Sequence, residues 1–299
     1  MLIGFDIGGT KIEVCLLDEQ GNEVFKHRVA TPDNYPKLLT TVADLVQLAT
    51  DEAGVPCQVG IGLPGAICPQ TGLMKNANCT FLNGKDLLAD LASQLGQPVS
   101  IANDANCFAL SEAVDGAGAG APVVFGAILG TGCGGGIVVN QQIIGGPNAL
   151  AGEWGHNPLP SHDVAKDGED RDCYCGRKNC IERFISGSGF ALSHQRLFDT
   201  EVPPATIIER YQAGDADATL LYQQLLDQMG RSFAAIINIL DPDVIVLGGG
   251  LSNVDSLYLD LPAATAPYVF SPTPTLNFKK AKYGDSSGIR GAAWLGKTQ

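Results

Sequence analysis

The sequence predicts an α/β protein of two similar halves, each built on a partly antiparallel sheet. Three observations carry this. Apolar runs alternate with helical patterns along the chain, the chain opens on a strand–glycine turn–strand, and that pattern returns near residue 123. At 299 residues the chain is long for a single core, so two domains are expected.

LIGFDI (2–7) and KIEVCLLD (11–18) flank the turn GGT and read as a hairpin. In YPKLLTTVADLVQLATDEAG (35–54), Leu38, Leu39, Val42, Leu45, Val46 and Ala49 keep helical spacing, and Gly54 ends the helix. CQVGIGLPG (57–65) is a strand entering a glycine–proline turn, DLLADLASQLG (86–96) a helix, and PVSIAND (98–104) a strand. The small-residue stretch VDGAGAGAP (114–122) reads as a hinge or boundary. After it, VVFGAIL, GTGCGG and GIVVN (123–140) repeat strand, glycine turn and strand. Residues 145–180 look irregular. Helices are expected near 186–199, 205–212 and 216–240, a strand at DVIVLGGG (243–250), and a last helix at SSGIRGAAWLG (286–296).

Apolar residues make up 45% of the chain, enough for a sizeable core, and the net charge is −13. So acidic a surface repels phosphate backbones, which argues against a nucleic-acid partner. The N-terminus has no basic segment or cleavage site, and VVFGAIL is far too short to span a bilayer. A cytoplasmic protein without membrane attachment is expected, and its nine cysteines then read as metal ligands or small buried hydrophobes.

Three glycine-rich loops each follow an apolar strand: DIGGTK (6–11), GTGCGGG (130–136) and LGGGLS (247–252). Glycine lets backbone N–H groups approach an anion. Residues 130–135 match G-x-G-x-x-G, yet they lead into a strand, so the helix N-terminus of a dinucleotide site is missing. No G-x-x-x-x-G-K-[ST] occurs either. The pattern suits a nucleoside triphosphate held between two lobes.

Taken together, DIGGTK, IANDAN (101–106), GTGCGGG, GEWGH (152–156) and C-x-C-G-x-x-x-C-x-E (173–182) resemble the ROK family of sugar kinases and repressors. The resemblance runs over residues 3–295. It implies the actin-like (hexokinase/ribonuclease H-like) ATPase fold, with two domains around a central cleft. The expected division is a small N-terminal α/β domain, 1–116 plus 287–299, and a large C-terminal α/β domain, 117–286, carrying a zinc site. SEAVDGA (111–117), GEWGHNPLP (152–160), NILDPDVIVLGGGLSNVD (238–255) and GDSSGIRGAAWL (284–295) most resemble bacterial fructokinases of the manno(fructo)kinase type. The implied reaction is ATP-dependent phosphorylation of a hexose hydroxyl, with D-fructose giving fructose 6-phosphate, by a homodimer. N-acetylglucosamine or glucose is the alternative acceptor. A sugar-responsive repressor is the alternative of another class, disfavoured because a strand beginning at residue 2 or 3 leaves no DNA-binding extension ahead of it.

Cys173, Cys175 and Cys180 supply three of the four donors a structural zinc needs. His156 and His162 both lie upstream, and spacing does not choose between them; the resemblance selects His156. Asn179 stands where the family has glycine, and asparagine tolerates the left-handed backbone better than other side chains. A closed Cys3His site would do no chemistry itself and would pin the Glu153–His156 loop to Glu182. Cys15, Cys57, Cys68, Cys79, Cys107 and Cys133 read as packing.

Phosphoryl transfer to an alcohol needs positioning, charge neutralisation and a carboxylate for the hydroxyl proton. Asp104 lies just past a strand and just before a helical run, which suits either that base or a helix cap; the resemblance makes it the base. It also implies sugar contacts from Asn103, Glu153, His156 and Glu182, while Asn78 reads as a solvated loop residue. Asp6, the carboxylate nearest the first glycine loop, is the expected Mg2+ ligand. Gly8, Gly9, Thr10 and Lys11, with Thr131 and Gly132, are the expected phosphate contacts, and Gly249 and Gly250 resemble the loop along the adenosine.

Overall fold

The structure is a computed structural model and describes residues 1–297. The chain divides into two compact units. One comprises Met1–Pro122, Gly136–Ala151 and Lys282 onward; the other comprises Val123–Gly135 and Gly152–Ala281. Residues 117–122, 136–151 and 282–286, expected in the large domain, cluster with the first unit. The last two residues of the expected 287–299 segment lie outside the described residues.

The first unit opens with β1 (Leu2–Ile7), β2 (Lys11–Leu17), β3 (Glu23–Ala30), α1 (Tyr35–Ala53) and β4 (Gln58–Leu63). A short hairpin, β5 (Ala66–Ile67) and β6 (Met74–Lys75), then α2 (Leu87–Leu95), β7 (Val99–Asn103) and α3 (Asp104–Val114) complete its first passage. Next come β8 (Val123–Leu129), β9 (Cys133–Val139) and β10 (Gln142–Ile143). The second unit continues with α4 (Val164–Asp167), α5 (Glu182–Ile185), α6 (Gly187–Phe198), α7 (Pro204–Gln212) and α8 (Ala216–Leu240). It ends with β11 (Val244–Gly248), α9 (Ser256–Thr265) and β12 (Phe278–Lys280), and α10 (Ser287–Gly296) belongs again to the first unit.

The first sheet runs β3-β2-β1-β4-β7 and the second runs β10-β9-β8-β11-β12. In the first, β1–β2 and β2–β3 are antiparallel while β1–β4 and β4–β7 are parallel. In the second, β9–β10 is antiparallel and β8–β11 and β11–β12 are parallel. The two halves therefore share one strand order, the repeat that the echoed hairpins predict.

Local chemistry accounts for the framing elements. Asn34 caps α1 by accepting the Lys37 N–H at 3.0 Å, Pro36 sits in the first turn, and Gly54 ends the helix at φ 62°. Leu38, Val42, Leu45, Val46 and Ala49 face the core with Ile3, Phe5, Ile12, Val14 and Leu16. Each fully buried large aliphatic there contributes roughly 1.5–3 kcal/mol. On the sheet's other side α10 packs at backbone distance. A Cβ on Gly4 would lie 2.6 Å from Ala293 N, and one on Gly60 would overlap the Ala292 carbonyl.

One expectation is corrected here. The glycine turn after β8 is shorter than predicted, because Cys133–Gly136 already belong to β9. The reason is packing: the Trp154 indole donates to Gly134 O at 2.9 Å, and a Cβ on Gly135 would stand 2.7 Å from its ring. Among the described residues no helix is long and apolar enough to cross a membrane.

Candidate active site and metal centre

In the first unit, β1, β4 and β7 run parallel, so Asp6 near the end of β1 and Asn103 at the end of β7 share one sheet edge. Asn103 caps α3: its side-chain oxygen accepts the Ala105 N–H at 2.9 Å, and its Nδ2 donates to Gly65 O at 3.3 Å. Asp104 is the first residue of α3, and its Oδ1 shares the same N–H at 2.9 Å. The cap and the candidate base are thus adjacent residues, and much of Asn103's bonding capacity is already used by the backbone.

Burial pushes the Asp104 carboxyl above the usual carboxylate range. Asp6 is pushed up to about 6, by burial first and then by the charges of Asp104 and Glu13. Two half-buried carboxylates, of which Asp104 raises Asp6, make a donor set that fits a hard divalent cation.

The loop after Asp6 is held from below. Gly8 N–H donates to Lys11 O at 2.9 Å and the Thr31 hydroxyl donates to Gly8 O at 2.7 Å. Lys11 Nζ bonds Glu13 at 3.0 Å, and Arg28 pairs with the same carboxylate. Gly9 and Thr10 are exposed, and a Cβ on Gly9 would meet nothing within 4 Å. Its backbone is not left-handed, so the turn itself does not require glycine there. What the missing side chain leaves is open space above an exposed backbone.

In the second unit the other two glycine loops meet. Gly249 has φ 80°, and a Cβ there would lie 2.6 Å from Gly130 N. Gly130 O accepts the N–H of Gly187 at the start of α6 at 2.7 Å. Thr131 and Gly250 are exposed on this paired surface. Glu182 joins it from the cysteine segment, its Oε2 accepting the Cys133 N–H at 3.0 Å.

Trp154 positions the neighbouring loop. Buried between Phe125 and Phe233, with centroids 5.5 and 5.1 Å away, it anchors the turn Trp154–His156. Glu153, just before that turn, is exposed, and His156, within it, is half-buried. Asn78, in the first unit, is an exposed loop residue.

His156, Cys173, Cys175 and Cys180 converge, with their four donor atoms all within 4.8 Å of one another. His156 Nδ1 is 3.7 Å from Cys173 Sγ, and the sulfurs of Cys175 and Cys180 are 3.6 Å apart. A tetrahedral zinc with sulfur at about 2.3 Å has edges of about 3.8 Å, so set and spacing fit it. Cys180 is pushed up to about 12, by burial first and then by the other two thiols. His162 is not in the group; its ring lies against Phe184 at 5.5 Å. Asn179 takes the left-handed turn at φ 56°, and its side chain accepts from Arg171 N at 2.8 Å. Of the other cysteines five are buried and Cys68 is partly exposed.

Sequence reasoning missed the charged residues that brace this loop. Arg171, 2% exposed, donates to the carbonyls of Arg183 at 2.6 Å and Gly189 at 3.2 Å, and lies 4.1 Å over the Phe184 ring. Arg231 of α8 pairs with Asp167 at 2.6 Å, both buried. Nothing in the local pattern separates them from solvated charges. Only their setting, between the cysteine segment and an apolar helix, could have pointed to them.

The ROK family profile matches residues 2–299. An N-acetyl-D-glucosamine kinase of Pectobacterium carotovorum is 42% identical over 299 residues, covering 99% of this chain and 98% of that protein. The crystal structure of a ROK hexokinase from Thermus thermophilus superposes with a TM-score of 0.86 at 29% identity, covering 98% of this chain and 97% of that one. A ROK family glucokinase from Streptomyces griseus, solved with glucose and AMPPNP, gives 0.76 at 25% identity, covering 100% and 99%. The twinned sheets are those of the actin-like ATPase fold. On its whole length, its paired glycine loops and its His–Cys cluster, the chain belongs to the ROK family.

Proposed function

We propose that the chain is an ATP-dependent sugar kinase whose acceptor is N-acetylglucosamine. The observation that carries the choice of sugar is the 42% identity, over 99% of the chain, to a protein named N-acetyl-D-glucosamine kinase. Fructose, placed first on the strength of short segments, becomes the second choice, since no residue of the site speaks for it.

In this reading Asp104 accepts the proton of the attacking hydroxyl as the oxygen bonds to the γ-phosphorus and ADP leaves. Its raised pKa suits it to that step, because a stronger base takes the proton more readily. Asn103, Glu153, His156 and Glu182 orient the sugar hydroxyls. Backbone N–H groups around Gly8, Gly9 and Thr10, with Lys11, and around Thr131 and Gly132, receive phosphate oxygens, and Gly249 and Gly250 line the adenosine. Asp6 holds Mg2+, which when bound neutralises charge on the phosphates. Zinc on His156, Cys173, Cys175 and Cys180 fixes the loop that presents Glu153. The working form is a homodimer, which light scattering tests directly.

The experiment is ADP release with Mg·ATP against N-acetylglucosamine, glucose, mannose and fructose, compared by kcat/KM. A preference for N-acetylglucosamine supports the proposal. A preference for fructose restores the first expectation and leaves every mechanistic role in place, whereas no turnover with any of the four rejects the kinase reading.

A further inference from the structure

We propose that Thr31 is a positioning residue for ATP, an inference that rests on the phosphate role given above to the first glycine loop. Its hydroxyl turns the Gly8–Gly9 peptide so that the Gly9 N–H faces the phosphates. Thr31 directly follows β3, which is not a neighbour of β1 in the sheet, yet it reaches the loop after β1 at two points. Its hydroxyl donates to Gly8 O at 2.7 Å, and its backbone N–H donates to Thr10 O at 3.1 Å.

A trans peptide is planar, and its C=O and N–H point in opposite directions. Fixing Gly8 O on Thr31 therefore fixes the Gly9 N–H on the far side. That N–H has no protein acceptor among the described residues, and Gly9 is exposed. Two successive glycines leave the plane between them free to rotate, because neither has a Cβ to restrict it. The loop's own bond, from Gly8 N–H to Lys11 O at 2.9 Å, belongs to the preceding peptide and does not set this one. The Cys79 thiol approaches Gly8 O at 3.5 Å, but a thiol is a weak donor, so the hydroxyl is the group that holds the plane. An N–H oriented before the anion arrives spares part of the ordering cost of binding.

Thr31→Val removes the hydroxyl, keeps the side-chain shape and keeps the backbone bond to Thr10 O, so the end of β3 stays attached. Valine also suits the extended backbone favoured before Pro32. By calorimetry the variant is expected to bind Mg·ATP about threefold to tenfold more weakly than wild type, with KM for ATP rising in step. KM for the preferred sugar at saturating ATP should stay near wild type. Thr31→Ser, which restores the hydroxyl, should bring ATP affinity back to within about threefold of wild type. A merely structural role would lower the unfolding midpoint and weaken both substrates alike. If Thr31→Val does not fold, Thr31→Ala carries the same test. A loss of ATP affinity smaller than about threefold, a loss shared equally by the sugar, or no recovery with serine overturns the inference alone. A wild-type chain that binds no Mg·ATP overturns the nucleotide reading and the inference with it.

Discussion

Glu182 Oε2 accepts the backbone N–H of Cys133 at 3.0 Å, so a carboxylate two residues beyond the last cysteine holds the glycine loop between β8 and β9. The same oxygen would lie 2.6 Å from a Cβ placed on Gly132. Loop and carboxylate are therefore set by one contact, and the cysteine segment, whose last cysteine lies two residues before Glu182, reaches the glycine loop through that hydrogen bond.

From this contact, Gly132→Ala should disturb both substrates. The added methyl must push Glu182 off the Cys133 N–H, leaving a buried donor unpaired at a cost of about 1–3 kcal/mol. KM is expected to rise for ATP and for the sugar together. Glu182→Gln, whose amide oxygen can still accept from Cys133, should raise the sugar KM and leave that for ATP near wild type. Steady-state kinetics on the two variants separates the effects; a Gly132→Ala enzyme with wild-type constants removes the link.

Asp104→Asn should lower kcat by about 10²–10⁴-fold while calorimetric sugar binding stays near wild type. The amide can still accept the Ala105 N–H, so the start of α3 is preserved. Turnover within a few-fold of wild type would leave Asp104 as no more than a helix-start residue.

Asp6 makes a prediction about stability. Its pKa in the folded chain, about 6, lies above the ordinary 3.8, so the folded state binds the proton more tightly than the unfolded state does. The stability contributed by protonated Asp6 is fully present below about pH 4 and is lost as pH rises through about 6. The loss is up to about 3 kcal/mol from this shift. Asp6→Asn imitates the protonated form. In magnesium-free buffer it should unfold at a higher temperature than wild type at pH 8, and the gap should close at pH 4. Its turnover with Mg·ATP should be nearly abolished. Equal melting temperatures at pH 8 would mean that the carboxylate is not held at a cost.

The residues that were legible in the sequence are those whose pattern states their role. Leu38 to Ala49 repeat at helical spacing, Gly54 and Gly96 sit in left-handed caps, and GGT and GTG follow apolar strands. The cysteine spacing makes a metal centre visible, although spacing alone does not separate His156 from His162; the resemblance selects His156, and its ring is the one that meets the three sulfurs. β3 is not legible in the sequence, because Glu23, Lys26, His27 and Arg28 make an edge strand look like a solvated loop. α9 is not legible either, because Pro262 lies inside it. Arg171, Asp167, Arg231 and Glu112 were invisible for a common physical reason. A buried charge is defined by partners distant in the chain, and no local periodicity records them.

Glu112 is the sharpest of these cases. It is fully buried in α3, yet its Oε2 accepts the Ala117 N–H at 2.8 Å and the Lys282 N–H at 3.1 Å, and its Oε1 takes the Ser287 hydroxyl at 2.7 Å. It thus ties the segment leaving α3 to the segment entering α10. Ala117 lies in VDGAGAGAP, so part of the stretch read as a hinge is bonded to a helix. Glu112→Gln should be tolerated within about 1 kcal/mol. Its amide oxygen can serve the two N–H groups while its amine donates to Ser287, whose hydroxyl can turn to accept. Glu112→Ala removes the shared acceptor of the Ala117 N–H, the Lys282 N–H and the Ser287 hydroxyl and should cost about 3 kcal/mol or more. Denaturant unfolding of both variants measures the difference. If the glutamine variant were as unstable as the alanine variant, the carboxylate charge, and not its hydrogen-bond geometry, would be what holds these segments together.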